Sequence, residues 1–136
     1  LEVLRTDGPT GSPALLVERA RSAGLPVELT VTGRERALPA ALEQGVYRIV
    51  QECLTNAARH AGGAAKVGVH LDYGERQVVV CVDDDGAARP DLPVEPGVGL
   101  IGMRERVEAL GGALRAGARD EGGFSVRAEL PVGSAG

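Results

Sequence analysis

From Val46 to Ala58 the apolar residues return every three or four positions. Val46, Ile49, Val50, Cys53, Leu54, Ala57 and Ala58 share one stripe of a helix, which predicts a face turned to a core. A second stripe runs along the stretch QECLTNAARHA, Gln51 to Ala61. Glu52, Asn56 and His60 fall at i, i+4 and i+8, and Arg59 follows Glu52 by seven residues. One carboxylate, one amide and two potential cations therefore share an edge. Taken alone, such a row also describes an ordinary wet helix surface. The helix opens at Pro39 and ends at Gly62-Gly63, and Gly45 weakens it by about 1 kcal/mol relative to Ala, so a break is expected near that glycine if anywhere.

The remaining periodicities alternate helix and strand. Ser12 caps a helix beginning at Pro13, with Leu15, Leu16, Arg19, Ala20 and Ala23 at helical spacing until Gly24 stops it. In PVELTVT, Val27, Leu29 and Val31 alternate with Glu28, Thr30 and Thr32, the pattern of a half-buried strand. AKVGVHLDY and RQVVVCVDDDG are two further strands separated by Gly74-Glu75, which predicts an antiparallel hairpin with His70 pointing outward. Ala87 to Pro96 is Pro-rich and irregular, the length of a functional loop. GVGLIG follows, then a helix with Met103, Val107 and Leu110 on its apolar side, stopped by Gly111-Gly112. Two strands around an Asp120–Gly123 turn complete the pattern, the last alternating Phe124, Val126, Ala128 and Leu130. The chain thus divides into an opening stretch and linker (1–12), one domain (13–132) and a tail (133–136).

Composition narrows the function classes. At 136 residues with 43% hydrophobic and 25% charged residues, the chain has the makings of one globular domain. Only 2% is aromatic, so the core must be aliphatic and bases have few platforms to stack on. A net charge of −4 argues further against a nucleic-acid partner, whose binding rests on clustered Lys and Arg. A small phosphate ligand is not excluded, because it needs only local donors or a metal ion. Cys53 and Cys81 each lie in an apolar segment and read as buried free thiols. No apolar run spans a membrane and no signal peptide is visible, so the cytoplasm is the expected compartment and no direct membrane contact is expected of this stretch. The opening LEVLRTDG reads as cut from a longer protein, which leaves a membrane anchor upstream open.

Two glycine motifs compete for the chemistry. GVGLIG fits G-x-G-x-x-G, but the dinucleotide fingerprint needs a buried strand before its first glycine, and ARPDLPVEP is not one. The acids at the right distance, Asp120 and Glu121, sit in a turn, and no P-loop is present. Asp84-x-Gly86, at a strand end, sets a carboxylate beside a residue free to take unusual backbone angles.

Taken in order, the helix with Glu52 and Asn56, the strand ending Asp84-x-Gly86, the loop, Gly97-x-Gly99 and the next helix resemble the Bergerat-type (GHKL) ATP-binding domain. That domain is shared by sensor histidine kinases, gyrase-type ATPases, heat-shock-90 chaperones and anti-sigma kinases. YRIVQECLTNAARHA together with GVGLIGMRERVEALGG is similar to the catalytic domain of the nitrate-sensor and DesK-like subgroup of bacterial two-component histidine kinases. The resemblance covers nearly the whole chain, and LEVLR looks like the tail of the dimerisation helix that precedes such domains. It implies an α/β fold, a two-layer sandwich with a mixed, largely antiparallel sheet and three helices on one face. It implies ATP and Mg2+ as cofactors, with Asn56 holding the metal against the phosphates and Glu52 ordering its water shell or acting as base. Arg59 and His60 would lie near the phosphates, and Asp84, with Gly86 beside it, would accept a hydrogen bond from the adenine amino group. Gly97, Gly99, Leu100, Gly102 and Met103 would form the nucleotide-facing start of the following helix.

The implied activity is transfer of the γ-phosphoryl group to a histidine on a separate dimerisation and phosphoacceptor domain. A response regulator would act downstream, and the full-length protein would be a homodimer. Neither His60 nor His70 suits the acceptor role. Two departures from the family pattern stand out: Ala88 occupies the second glycine of D-x-G-x-G, and the threonine common in the last-strand region is missing, with Ser125 the candidate substitute. The alternatives are a non-catalytic nucleotide-sensing or partner-binding module of the same fold, and an anti-sigma factor serine kinase.

Overall fold

Helix α1 (Pro13–Ser22) begins where Ser12 can hold it: the Ser12 hydroxyl accepts from the Leu15 N–H at 3.2 Å, and Pro13 supplies the first turn. It ends on Gly24 at φ 99°, where the Leu25 N–H reaches back to the Ala20 carbonyl at 3.0 Å. The computed structural model describes residues 12–60, 66–86 and 98–132. The opening stretch, Gly62-Gly63, Ala88, the 87–96 loop, Gly97 and the tail lie outside the described residues.

After α1 come β1 (Val27–Gly33), α2 (Ala40–His60), β2 (Val67–Tyr73), β3 (Gln77–Asp84), α3 (Val98–Ala109), β4 (Ala113–Ala118) and β5 (Phe124–Pro131). The sheet order is β1-β2-β3-β5-β4. Because α2 carries the chain from β1 back to β2, those two strands run parallel, whereas the β2–β3 and β4–β5 hairpins and the β3–β5 pair are antiparallel. The mixed, largely antiparallel sheet is the one expected.

All three helices share one core with one face of the sheet. Leu16 and Val17 of α1, the apolar stripe of α2, and Met103 and Val107 of α3 pack with Val69, Val80, Val126 and Leu130. The α2 stripe is buried as the periodicity predicted, except that Ala58 is exposed and lines the groove between α1 and α2. The helix does not break at Gly45. A side chain there would meet Leu110 Cδ1 at 2.8 Å, so the glycine is where α2 admits the segment after α3. On the edge strand β1 burial fades along the strand, from Val27 at 6% to Val31 at 39% exposed. Among the described residues no helix is long and apolar enough to cross a membrane.

The opposite face of the sheet is wet, and register fixes its membership. Thr30, His70, Cys81 and Arg127 form one cross-strand row, with Arg115 beyond. His70 is exposed, as expected. Cys81 is not buried as the sequence suggested. It lies half-exposed on this outer face, with its thiol 3.7 Å from Asp83 Oδ1. An apolar run in a strand alternates faces whatever its composition, which is why hydropathy alone misplaced it.

Candidate functional site

Register also decides which of the three consecutive aspartates can serve a site under the helices. Asp84 pairs with Val67 on one side and Phe124 on the other, residues of the helix-covered face, whereas Asp83 pairs with Gly68 and Ser125 on the wet face. Asp84 therefore ends β3 on the same side of the sheet as α2. Its carboxylate is oriented locally: the Gly86 N–H donates to Asp84 Oδ1 at 2.9 Å, leaving the second oxygen for another donor. The next residue is tied to the start of β2, where the Lys66 N–H donates to Asp85 Oδ1 at 2.6 Å and the Asp85 N–H to the Lys66 carbonyl at 3.2 Å.

The α2 edge faces the same region. Glu52 and Asn56 are half-buried, one turn apart, beside the buried Cys53. Burial pushes the Cys53 thiol far above its ordinary range, and the charges of Glu52, Cys81 and Asp84 push the same way. Arg59 lies exposed one turn beyond Asn56. His60 ends α2, but its side chain lies outside the described residues. Among the described residues neither Glu52 nor Arg59 enters a salt bridge, so their charges are not spent on structural pairs.

α3 begins at Val98 with no acid in its first turn, so the positive end of its dipole is not neutralised from within. Gly99 stands in that turn, Leu100 is partly buried against the core, and Gly102 has open space where a side chain would be. The Met103 side chain is 4% exposed, because it shares the inward stripe with Val107. Ser125 cannot stand in for a site hydroxyl, since it faces the wet side opposite Asp83. The residue across from Asp84 is Phe124, half-buried, so an aromatic wall and not a hydroxyl borders that carboxylate.

Sequence reasoning missed Phe124 and the contacts of the β4–β5 turn. Arg119 Nη1 donates to the Asp84 carbonyl at 2.9 Å, from a position in sequence that carries no motif.

Mg2+ fits the α2 edge only as a guest of a phosphate ligand. Among the described residues no three His, Cys, Asp or Glu side chains gather to hold a metal. An amide oxygen and a carboxylate one turn apart suit an ion that keeps several waters and takes its other oxygens from phosphates.

Residues 41–134 match the family described as histidine kinase-, DNA gyrase B-, and HSP90-like ATPase. The sensor histidine kinase LnrJ of Bacillus subtilis is 35% identical over 112 residues, covering 82% of this chain and 27% of LnrJ. YxjM of the same organism is 33% identical over 126 residues, 92% of this chain and 30% of YxjM. The nitrate/nitrite sensor protein NarX of Escherichia coli is 32% identical over 104 residues, 76% of this chain and 17% of NarX. The chain thus spans less than a third of the length of these relatives. Among solved structures, the Erythrobacter litoralis blue-light activated histidine kinase superposes with a TM-score of 0.70 at 24% identity, over 88% of this chain and 40% of that one. The mycobacterial sensor histidine kinase MprB gives 0.65 at 24% identity, over 88% of this chain and 93% of that one. The likeness to these solved structures is one of fold. Matched by the family over most of its length, the chain belongs to the histidine kinase-, DNA gyrase B- and HSP90-like ATPases, as an ATP-binding catalytic domain of the sensor histidine kinase kind.

Proposed function

We propose that this domain binds Mg-ATP between the α2 edge and the end of β3 and passes the γ-phosphoryl group to a histidine on a separate dimerisation and phosphoacceptor domain. The observation that supports the reading most is that α2, with Glu52 and Asn56 half-buried one turn apart, packs on the face of the sheet on which Asp84 ends β3. Asp84, its carboxylate already oriented by Gly86, accepts from the adenine amino group and so prefers adenine to guanine. The flanking Phe124 gives the base an apolar border. Asn56 would hold Mg2+ through its amide oxygen, and Glu52 would order the ion's water shell. Arg59 and His60 offset phosphate charge that a chain of net charge −4 otherwise has little means to balance. Gly99, in the first turn of α3, brings its main-chain N–H toward the phosphates, followed by Leu100 and Gly102, and Gly97 belongs to the same motif in sequence.

Transfer of a phosphoryl group asks mainly for alignment and charge neutralisation, and these residues supply both. The bound metal would supply neutralisation of the β and γ oxygens. Glu52 would take the acceptor's proton, a role an acid beside the acceptor histidine would fill equally. The acceptor histidine lies on another domain, and the whole protein works as a homodimer that feeds a response regulator.

Mixing this domain with a purified phosphoacceptor domain and γ-labelled ATP tests the reading. Label is expected on the acceptor only when Mg2+ and the acceptor are both present, and the domain alone stays unlabelled. Tight ATP binding with no transfer to any acceptor histidine would leave a nucleotide-sensing module, and label on a serine would point to the anti-sigma branch.

A further inference from the structure

The end of β3 is held from a direction that no motif announces. Arg119, just after β4, donates from Nη1 to the Asp84 carbonyl at 2.9 Å, while its Nη2 pairs with Glu121 at 3.1 Å. The guanidinium is therefore gripped at one end by the turn and grips the strand with the other. Main-chain bonds close the same turn: the Arg119 N–H donates to the Gly123 carbonyl at 2.7 Å, and the Gly122 N–H to the Arg119 carbonyl at 3.0 Å. Gly122 and Gly123 take φ of 101° and 98°, open to glycine and strained for other residues. Both are buried, and a Cβ on Gly123 would fall on the Asp84 carbonyl oxygen and within 2.8 Å of Asp85 Cα. The turn thus lies directly on the peptide that joins Asp84 to Asp85.

We propose that the β4–β5 turn is part of the base-recognition apparatus and that Arg119 is the positioning residue that aims the Asp84 carboxylate. The inference rests on the reading of Asp84 as the partner of the adenine amino group. A hydrogen bond from that amino group is directional and weakens steeply as it bends. Asp84 ends the sheet ladder, and the peptide that follows it is held on both edges. On the β2 side the Asp85 N–H donates to the Lys66 carbonyl and the Lys66 N–H to the Asp85 carboxylate, and on the other side Arg119 donates to the Asp84 carbonyl. With the peptide held from both sides the Cα–Cβ bond of Asp84 is fixed in direction, and the Gly86 N–H completes the orientation of the carboxylate. Glu121 acts one step further out. It is exposed, and its carboxyl is held below the ordinary range by a main-chain hydrogen bond and by Arg119.

The test compares the affinities of the domain for ADP and for inosine diphosphate, which carries a carbonyl where adenine has its amino group. Wild type, Asp84→Asn, Arg119→Ala, Arg119→Lys and Glu121→Gln are titrated by calorimetry, with thermal unfolding run on each. Arg119→Ala is expected to lower the ADP to inosine diphosphate preference about fivefold, the order of one hydrogen bond, by weakening ADP alone. Arg119→Lys, which can still donate to the Asp84 carbonyl, is expected to keep most of the preference, and Glu121→Gln nearly all of it. A purely structural role would lower both affinities together, in step with the loss of thermal stability, and that result overturns the proposal. If Arg119→Ala does not fold, a fully wild-type preference in a folded Arg119→Met, which keeps much of the stem and donates nothing, overturns it equally. An unchanged preference in Asp84→Asn would remove the base reading itself and the proposal with it. Loss of preference in Asp84→Asn together with an unchanged one in Arg119→Ala would remove only the proposal.

Discussion

An Asn56→Asp domain is expected to fold normally and to lose phosphoryl transfer by about 100-fold or more, the scale seen when one electrostatic partner of a transition state or metal is removed. Asp is nearly the same shape as Asn, and the side chain is half-buried at the helix edge, so packing changes little. The chemistry changes in two ways. A negative charge is added where a triphosphate must come, and that charge stands one turn from Glu52 on the same edge. Helix stability should fall by only a few tenths of a kcal/mol from the like-charge pair. Labelled transfer to the acceptor domain, measured beside a thermal melt, separates the two effects. Unchanged transfer would return the polar row of α2 to an ordinary wet surface.

Ile49→Ala should be the most damaging of the simple core truncations on the site helix. Ile49 is fully buried in the middle of α2, between the helix and the sheet, so its removal leaves a cavity that its neighbours fill only in part. A loss of about 3 kcal/mol is expected, or roughly 10 °C in melting temperature for a domain of this size. Because Glu52 lies one turn along the same helix, nucleotide affinity should fall too, while saturating Mg-ATP recovers part of the melting temperature by mass action. A melt within a degree or two of wild type would mean that α2 is not anchored as described.

The elements were legible because their periods are clean. The α2 stripe, the β2–β3 hairpin and the glycine stops after α1 and α3 follow from local rules of helix, strand and cap, and each lies where its residues said. What sequence could not supply was register. Phe124 shares a face with Asp84, and Ser125 with Asp83, only because β5 pairs with β3 in one alignment and not the alignment one residue away. Hence Ser125 looked available to the site. Arg119 was invisible for a related reason: its partner is a main-chain carbonyl thirty-five residues away, and main-chain partners leave no trace in residue types. Met103 was placed at the nucleotide only by its position in a motif, and the helical period also sets it on the inward stripe with Val107.

The central claim, that the α2 edge and the end of β3 form one Mg-ATP site, is tested most directly by calorimetric titration of the domain with a non-hydrolysable ATP analogue, in Mg2+ and again in EDTA, on wild type and on Asp84→Asn. The account predicts saturable binding to one site per chain, weakened by removal of Mg2+ and weakened separately by Asp84→Asn. No heat of binding at millimolar nucleotide, or binding indifferent to both Mg2+ and Asp84, would contradict it.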